Sequence, residues 1–440
     1  MKLDNHKFDE KWAREKIEAW QLNLLQTQLD YVWQKSKFYK RKFREAGLTP
    51  SDIKTLKDIR KIPFTTKKEL KDYYQDFFCV PKEEIVDYCS TSGTTGMSVL
   101  IPFTLRDWRL CIEYIKERFL VLGIHQGDVV QNSMAFDQLF GASIFFDAAL
   151  KELGITSLRM GPGNSKRQIE IMQAVGTTII IAVPDYMLVL ADQARETGLD
   201  PAKDFRLKKG ILMTQNLYTR DWQPNALKKK IEETWGIETI SGYGATEPKL
   251  GLFECLAQTG HHIPSQDIMV EIIDPETQQV LGPEEEGEVV FTHLSQESMP
   301  IIRFRQGDIT FLKRDTCPCG SNTPRLMSIL GRTDQMMKIK GASLYPSHIE
   351  EVLTGIPEVR NFVIEIFTDE RGLEQLKIMV CLGTHGEGII QKIKSDIKNA
   401  TWITPLVETS SIEEIEAWHF SAGTRKVKKF WDNRGPKTER

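Results

Sequence analysis

Apolar positions along the chain change their spacing several times, and each change predicts a different kind of element. Residues 8–46 carry helical spacing, with Ile17, Leu24 and Leu29 among the apolar positions and Ala46-Gly47 as a glycine stop. From residue 84 to 245 strand-like and helical runs alternate, which is typical of parallel sheets covered by helices. The strand-like runs are 128–133, 154–159, 177–183, 210–214 and 237–242, and the helical runs are 106–122, 165–175, 186–198 and 220–235.

The pattern changes again after residue 245. Short runs separated by glycine and proline predict antiparallel strands at 268–274, 279–281, 287–293 and 308–313. After Gly331 a small unit is predicted, with helices at 346–354 and 386–399 and strands near 359–367, 374–382 and 403–409. We therefore predict an α/β fold in two domains. Residues 1–333 would form a large N-terminal domain of mixed or parallel sheets flanked by helices, with a small antiparallel β region, and residues 334–440 a small α+β C-terminal lid domain.

Composition narrows the class of protein. The 440 residues are 40% hydrophobic and 27% charged with a formal net charge of −3, which is typical of a globular protein and gives no basic excess for nucleic acid. Residues 1–7 lack the apolar core of a signal peptide and the longest apolar runs have the length of strands, so we expect a cytoplasmic protein that binds no membrane. Seven cysteines, an odd number in a long chain, argue against a disulfide framework.

The segment Ser90-Thr-Ser-Gly-Thr-Thr-Gly-Met-Ser98 predicts a phosphate-binding loop. Glycine lets the backbone approach a ligand closely, and successive N–H groups in such a turn form an anion-binding concavity. Strand-like runs at 84–89 and 99–103 flank the loop, and a flexible surface linker is the alternative. It is not a Walker loop, because only two residues separate its glycines and no lysine follows. The residues expected to bind phosphate are Ser92, Gly93, Thr94, Thr95 and Gly96.

Three further segments follow this loop in order: Ser-Gly-Tyr-Gly-Ala-Thr-Glu at 241–247, Ile-Arg-Phe-Arg-Gln-Gly-Asp at 302–308, and the stretch 331–341. Together the four motifs resemble the adenylate-forming superfamily of acyl- and aryl-CoA synthetases, and within it the phenylacetate–coenzyme A ligase branch. The likeness runs from 36–43 and 62–70 to 432–434. The resemblance implies an ATP-dependent acid–CoA ligase. Such an enzyme activates an aryl or related carboxylic acid as acyl-AMP and transfers the acyl group to the CoA thiol, with release of AMP and pyrophosphate.

The resemblance also implies roles for individual residues of the nucleotide site. Tyr243, next to Gly244, would stack on adenine, for which its ring offers a flat apolar surface. Glu247, with Thr246 at its side, would take part in catalysis and hold Mg²⁺, which prefers oxygen ligands. Asp308 would accept hydrogen bonds from the ribose hydroxyls. Arg332 would add a cation near ribose or phosphate; a structural ion pair between Arg305 and Asp308 is a compatible reading of the same motif.

A moving lid is implied as well. Asp334 matches the hinge residue about which the lid of these enzymes turns between two half-reactions. If Asp432 and Arg434 match the closing Asp-x-Arg of the family, Lys426 falls on the adenylation lysine, whose charge would stabilise the transition state. The family usually has Gly-Lys where this chain has Arg-Lys, so Lys428 and Lys429 stay open, as does a solvated basic loop.

Residues 132–141 occupy the place of the aryl pocket of the branch. Phe136 and Phe140 could sandwich a ring, with Asp137 and Gly141 in the same pocket, and ordinary core phenylalanines are the alternative. Asp137 and Gln138 replace small or aromatic residues that are common in the phenylacetate enzymes. This difference favours an acid that bears a hydroxyl or amino group.

Cysteine and histidine spacing predicts a structural zinc site, because thiolates and imidazole are the usual tetrahedral ligands of Zn²⁺. Some members of the branch carry such a site, which implies Cys255, His262, Cys317 and Cys319 as ligands here. The spacing in the branch favours His262 over the adjacent His261.

The expected partners are a small carboxylic acid, ATP and CoA. Homodimers are common in the branch, but the sequence leaves the oligomeric state open. Two other functions stay open. One is an adenylyltransferase that places AMP on a phenolic or deazaflavin hydroxyl, and the other is a nucleotide-binding regulator without catalysis. The sequence leaves open which acid is used and whether its acceptor is CoA, a carrier-protein thiol or a hydroxyl.

Overall fold

The computed structural model describes residues 8–91, 99–335, 337–339, 342–383, 388–420 and 427–434. The chain packs as two compact units, the first comprising Met1–Pro224 and Lys228–Ser328 and the second Asn225–Leu227 and Ile329–Arg440. The domain boundary predicted between residues 333 and 334 stays a prediction. Within the described ranges no helix combines the length and the apolar character that crossing a bilayer requires.

The first unit opens with three helices, α1 (Arg14–Lys35), α2 (Lys37–Glu45) and α3 (Lys67–Asp72). The single helix predicted over 8–46 is divided at Ser36, whose extended backbone ends α1 and whose hydroxyl accepts a hydrogen bond from Tyr39 N at 3.3 Å. Because a serine in this position caps the new helix, α2 begins directly after the break, and the helical spacing of apolar residues continues through it. The next elements are the antiparallel strands β1 (Ile85–Ser90) and β2 (Leu100–Thr104) and the helix α4 (Leu105–Val121).

A six-stranded sheet forms the centre of the first unit. Its elements are β3 (Val129–Asn132), α5 (Gly141–Glu152), β4 (Thr156–Arg159), α6 (Ser165–Val175), β5 (Ile179–Ala182), α7 (Pro184–Glu196), β6 (Lys209–Met213), α8 (Ala226–Trp235), β7 (Glu238–Ala245) and β8 (Leu250–Phe253). The strand order is β4-β3-β5-β6-β7-β8, parallel except for the β7–β8 pair. The predicted alternation is confirmed, although α5 was not predicted and α8 begins later than residue 220.

The order of these strands marks where a ligand can bind. The chain leaves β3 for β4 on one side and then returns to β5 on the other side of β3. At such a reversal the loops after the two strands diverge, and ligands of open α/β sheets bind in the crevice beyond the carboxyl ends of the strands. The loop after β3 is the predicted acid pocket.

The rest of the first unit is antiparallel, as predicted. Its strands are β9 (His261–His262), β10 (Ile268–Ile273), β11 (Gly287–His293), β12 (Phe304–Thr310), β13 (Leu312–Lys313) and β14 (Arg325–Leu326). Strands β10, β11 and β12 pair in that order, and β14 lies between β13 and β9. The strand predicted at 279–281 is reduced to an isolated bridge between Ile273 and Val280. The strand predicted at 308–313 begins earlier, which places Asp308 inside β12.

The second unit has its own core. Its elements are β15 (Gly331–Arg332), β16 (Met337–Ile339), β17 (Ala342–Leu344), α9 (Pro346–Thr354), β18 (Val359–Thr368), β19 (Glu374–Leu382), α10 (Ile389–Thr401), β20 (Leu406–Thr409), α11 (Ile412–Phe420) and β21 (Phe430–Asn433). Four strands pair in the order β20-β19-β18-β21, and residues such as Ile364, Ile378 and Ile393 fill the space between this sheet and the helices. The α+β character is confirmed, with α11 and β21 as elements that were not predicted.

Candidate active site

Two of the predicted nucleotide-binding residues lie in contact. The hydroxyl of Tyr243, near the end of β7, donates a hydrogen bond to Asp308 Oδ2 on β12 at 2.7 Å. The two residues are 65 positions apart in the sequence. Tyr243 is half-buried and Asp308 is buried, while Gly244 beside the tyrosine is exposed. Packing of the antiparallel strands against the end of the central sheet therefore brings two of the four motifs together.

Glu247 occupies the turn between β7 and β8. Lys249 N donates to Thr246 O at 3.0 Å, which closes a four-residue turn with Glu247 and Pro248 at its corner. The Glu247 side chain is buried, and among the described residues its carboxylate forms no hydrogen bond or ion pair. A carboxylate that no described residue neutralises is suited to bind a cation.

A buried ion pair anchors one end of this turn. Lys249 Nζ lies 2.8 Å from Asp107 Oδ2, and both side chains are fully buried. The same carboxylate accepts hydrogen bonds from Glu297 N at 2.7 Å and Ser298 N at 2.9 Å. Burial raises the pKa of Asp107, but Lys249 and the hydrogen bonds outweigh this effect and hold the pKa at about 2. Asp107 is therefore a buried anion that fixes the residue after Pro248.

A histidine anchors the corner of the same turn. His293 Nε2 donates to Pro248 O at 2.9 Å, while Nδ1 accepts a hydrogen bond from Ile301 N at 3.1 Å. Complete burial lowers the pKa of His293 to about 3, so the ring is neutral, as this pair of bonds requires. Sequence reasoning did not identify His293, Lys249 or Asp107, because only the tertiary fold brings them to the turn.

The phosphate-binding residues predicted at 92–96 lie outside the described residues, but the base of their loop is described. Thr91 N donates to Val99 O at 3.0 Å, and Val99 N donates to Thr91 Oγ1 at 3.0 Å. Thr246 Oγ1 lies 3.5 Å from Ser90 O. The base of the predicted loop therefore lies next to the turn that carries Glu247.

The predicted acid-pocket loop reaches the same region. Ser90 N donates to Leu139 O at 2.9 Å, which joins the loop after β3 to the end of β1. Gln138 and Leu139 both have left-handed φ values, 50° and 62°, which non-glycine residues rarely adopt. This backbone conformation directs the loop over the end of the sheet.

The aromatic residues of this loop are accessible. Phe136 and Phe140 are half-buried, and Asp137 between them in sequence is exposed. At Gly141 an added Cβ would lie 2.3 Å from Cys89 Sγ, so α5 can begin this close to β1 only with glycine. Neither phenylalanine is therefore a member of the fully buried core, and their role in an acid pocket stays a prediction.

Four metal-ligating side chains converge on one side of the first unit. Each side chain offers one ligand atom, and these four atoms all lie within 4.8 Å of one another. The residues are Cys255, His262, Cys317 and Cys319. Cys255 Sγ and Cys317 Sγ are 3.6 Å apart, and Cys319 Sγ is 3.8 Å from His262 Nε2. Metal–sulfur bonds of about 2.3 Å at tetrahedral angles place two sulfurs about 3.7 Å apart, so this set of donors could hold a metal ion.

The structure separates the two adjacent histidines. His261 Nε2 lies 2.9 Å from Ser241 Oγ and Nδ1 lies 3.2 Å from Leu326 O, so both of its nitrogens have partners away from the cysteines. His262 points to the other side of β9, as strand alternation requires, and its buried Nδ1 has no hydrogen-bond partner. The cluster thus uses His262, as the spacing in the branch implied.

Arg332 and Asp334 belong to the second unit. Arg332 Nε lies 3.2 Å from Asp334 Oδ1, and both side chains are at least partly exposed. Ser347 Oγ donates to Leu330 O at 2.5 Å, which attaches the preceding residues to α9. Their roles as nucleotide ligand and hinge stay predictions.

The predicted adenylation lysine, Lys426, lies outside the described residues, whereas its two alternatives do not. Lys428 Nζ lies 3.6 Å from the centre of the Trp431 ring, and Lys429 Nζ lies 4.8 Å from that of Phe362. Arg434 makes two bonds with Asp432, at 2.8 and 2.6 Å, so the closing Asp-x-Arg forms an ion pair at the end of β21.

A wide depression of about 940 Å³ lies elsewhere on the first unit, lined in part by Lys42, Phe64, Arg303 and Arg305. Three of its cations are paired: Arg303 with Glu271 at 2.9 Å, Lys42 with Glu69 at 2.7 Å, and Arg305 with Glu288 at 2.5 Å. The ion-pair partner of Arg305 in the structure is thus Glu288, whereas Asp308 was the partner considered from the sequence.

Comparison with known proteins agrees with this site. The model of the family of AMP-binding enzymes matches residues 36–295. The phenylacetate-coenzyme A ligase of Thermus thermophilus is 33% identical over 351 residues, which cover 79% of this chain and 77% of that protein. The phenylacetate-coenzyme A ligase of Aromatoleum evansii is 30% identical over 422 residues, 92% of this chain and 93% of that protein.

A solved structure extends the agreement to the fold. The crystal structure of 2-hydroxyisobutyryl-CoA ligase in the postadenylation state superposes with a TM-score of 0.84, covering 98% of this chain and 96% of that chain at 24% identity. The resemblance found in the sequence is thereby confirmed: the chain belongs to the family of AMP-binding enzymes, with phenylacetate–coenzyme A ligases among its relatives.

Proposed function

We propose that the chain is an AMP-forming acid–CoA ligase that activates an aryl or related carboxylic acid. A carboxylate oxygen attacks the α-phosphorus of ATP, forming acyl-AMP and releasing pyrophosphate. The sulfur of CoA then attacks the acyl carbon, the bond from that carbon to the phosphate oxygen breaks, and AMP leaves. Relatives named phenylacetate-coenzyme A ligase favour this function over transfer of AMP to a hydroxyl and over a regulator without catalysis.

The contact between Tyr243 and Asp308 beside the Glu247 turn is the observation that carries this proposal. The Tyr243 ring would lie against adenine, and the Asp308 carboxylate would accept hydrogen bonds from the ribose hydroxyls. Glu247, with Thr246 beside it, would hold Mg²⁺, which would neutralise charge on the phosphates. The Glu247 carboxylate, which has no partner among the described residues, supports that role. Residues 92–96 would bind the phosphates, and Arg332 would add a cation.

Lys426 is the residue that we assign to the transition state of adenylation. Its ammonium would stabilise the charge that develops between the carboxylate and the α-phosphate. The aromatic contacts of Lys428 and Lys429 support this assignment, because each of those cations already lies over a ring of the second unit. The lid would turn about Asp334 before the CoA thiol attacks.

The acid would bind between the loop after β3 and the carboxyl ends of the central strands. Phe136 and Phe140 would provide apolar surface for a ring, near Asp137 and Gly141. The half-buried state of both phenylalanines supports this placement. Phenylacetate, the acid named for the relatives, is the first acid to test.

We also propose that the Cys255, His262, Cys317 and Cys319 cluster holds a structural Zn²⁺. Burial raises the pKa of Cys317, but hydrogen bonds from His262 and Thr259 outweigh this effect and lower the pKa to about 5, while burial raises the pKa of Cys255 to about 12. A divalent cation would supply the charge that lets the remaining thiols ionise. The ion would brace β9, whose His261 is bonded to Ser241 of β7.

Separate assays of the two half-reactions test the proposed chemistry. Lys426→Ala should lower acid-dependent ATP–pyrophosphate exchange by about 100-fold or more, because it removes a charge needed in the transition state. Thioester formation from a synthetic acyl-adenylate should stay close to the wild-type rate. Lys428→Ala, the matched control, should keep both activities. Equal loss of both half-reactions in the Lys426 variant, or the selective loss in the Lys428 variant, would overturn the assignment.

Elemental analysis of purified protein tests the metal. We expect about one zinc per chain in the wild type and in His261→Gln, and loss of zinc in His262→Ala. Protein that contains no zinc, or a His262 variant that keeps it, would remove the site without affecting the proposal for the nucleotide.

A further inference from the structure

Two buried polar side chains near the acid loop have unused hydrogen-bonding groups. Asn132, the last residue of β3, and Ser143, in the first turn of α5, are both 0% exposed. Asn132 Oδ1 accepts a hydrogen bond from Met134 N at 3.0 Å, but within the described part of the chain Asn132 Nδ2 and Ser143 Oγ have no partner. Unpaired buried donors are rare and costly in a folded protein, so two in one region indicate a missing partner.

Strand register places both groups on the same side of the sheet. Asn132 pairs with Arg159 of β4, so their side chains lie on one face, together with that of Ser157 two residues earlier. Helix α5 covers this face, because its Asp147 accepts a hydrogen bond from Ser157 Oγ at 2.8 Å and lies 3.7 Å from Arg159. Ser143 is one helical turn before Asp147 and therefore lies nearer the carboxyl ends of the strands, at the level of Asn132.

On the β5 side of Asn132, away from Arg159, the neighbouring positions on this face are apolar. Ile181 pairs with Asn132 on one side and with Ile211 on the other, and Met213 follows two residues later on the same face. Gly242 pairs with Met213, and an added Cβ there would lie 3.0 Å from the Met213 side chain, so the apolar methionine fills the space beside the glycine. An apolar surface with a few fixed polar groups is the usual construction of a small-molecule site.

The position of this pair agrees with the placement of the acid. The loop from residue 133 to 140, with Phe136 and Phe140, joins β3 directly to α5 and so covers the same end of the sheet. Helix α5 begins after Phe140, which supplies no side-chain cap, so donors of its first turn also face this end. An oxygen atom of a bound acid is a suitable acceptor for these groups.

We propose that Asn132 and Ser143 bind an oxygen substituent of the acid, so that the substrate is a hydroxy- or oxo-substituted aryl acid or a related acid of that kind. This inference rests on the proposed function. Asn132 Nδ2 donates to the oxygen, and the Ser143 hydroxyl donates to it or accepts from it. An acid without the oxygen leaves both groups unpaired, and a site built to bind a hydroxyl discriminates strongly against the analogue that lacks it.

Matched acids and matched serine variants test the proposal. We would measure kcat/KM for phenylacetate, the three ring-hydroxylated phenylacetates and mandelate. The wild type should prefer at least one oxygen-substituted acid over phenylacetate by about 10- to 100-fold, and Ser143→Ala should reduce that preference about tenfold. Ser157→Ala, which removes a hydroxyl already bonded to Asp147, should leave the preference unchanged.

A binding measurement separates failure of this inference from failure of the proposed function. The melting temperature with each acid and ATP reports binding without turnover, and the preferred acid should stabilise the wild type more than Ser143→Ala. Absence of turnover with every acid would count against the proposed function, while the binding comparison would still decide the role of Ser143. The inference would be overturned if substituted and unsubstituted acids gave equal kcat/KM or equal stabilisation. It would also be overturned if Ser143→Ala lowered kcat/KM for the substituted acid and for phenylacetate by the same factor.

Discussion

Replacement of Lys249 by methionine should destabilise the first unit and reverse the pH dependence that Asp107 gives it. The two side chains are fully buried with their charged atoms 2.8 Å apart. Methionine keeps most of the volume of the lysine side chain. The Asp107 carboxylate then keeps its hydrogen bonds but loses its cation. Removing one partner of a buried ion pair typically costs about 3–5 kcal/mol, because the remaining charge is uncompensated.

The sign of the pH effect follows from the pKa. The pKa of Asp107 is lowered from 3.8 to about 2, so its contribution to stability is present above the unfolded pKa and lost as the pH falls towards 2. A shift of this size corresponds to about 2 kcal/mol. In the Lys249 variant burial acts without the cation and raises the pKa of Asp107. The folded variant then takes up a proton more readily than the unfolded chain and gains stability as the pH falls through the raised value.

Urea unfolding followed by tryptophan fluorescence between about pH 2 and pH 8 measures both effects. Lys68→Met is the matched control, since Lys68 and Asp72 form an ion pair whose side chains are 85% and 46% exposed. Such a pair contributes little, so this control should unfold close to the wild type. A Lys249 variant with the wild-type midpoint, or with the wild-type sign of pH dependence, would refute the reasoning. Because the ion pair between Lys249 and Asp107 anchors the Glu247 turn, its loss should also raise the KM for Mg·ATP.

Three further predictions concern single contacts. Gly141→Ala should lower the melting temperature, because the new Cβ would lie 2.3 Å from Cys89 Sγ. Adding Cys89→Ala should restore much of the loss, and a Gly141 variant as stable as the wild type would contradict the close approach. Burial lowers the pKa of His293 to about 3, so the unfolded chain binds a proton that the folded one lacks, and stability should fall as the pH drops below about 6.5. His293→Gln should flatten that slope in urea unfolding, and an unchanged slope would count against the assignment. Tyr243→Phe removes the hydrogen bond to Asp308 and should change the KM for ATP about two- to tenfold with little effect on the KM for the acid, whereas equal changes in both would contradict the nucleotide role.

The sequence predicted the elements whose burial is uniform along the strand. Ile179–Ala182 is an apolar run in which every residue is buried, as expected for a central parallel strand. Helix α5 was not predicted, because it follows Phe140 without a side-chain cap and opens with Gly-Ala-Ser. The division at Ser36 was also missed, since the helical spacing continues through the residue that caps α2.

The candidate site was predictable where local motifs carry the chemistry. Tyr243, Glu247 and Asp308 belong to short motifs, and the Cys-x-Cys turn at 317–319 pointed to a metal cluster together with Cys255 and His262. The Asp107–Lys249 pair joins residues 142 positions apart, and only the fold brings them together. Asn132 and Ser143 are close in sequence, but their shared face depends on strand register and on the helix that was not predicted.

The path of one oxygen atom tests the central claim most directly. The preferred acid, labelled with oxygen-18 in its carboxylate, is incubated with the protein, ATP, Mg²⁺ and CoA, and the AMP is analysed by mass spectrometry. Attack of the carboxylate on the α-phosphorus and later cleavage of the acyl carbon–oxygen bond leave one labelled oxygen on AMP. We predict one labelled oxygen in each AMP, in equal amount to the acyl-CoA formed. Thioester formed with unlabelled AMP, or with ADP and labelled phosphate, would contradict an acyl-adenylate intermediate.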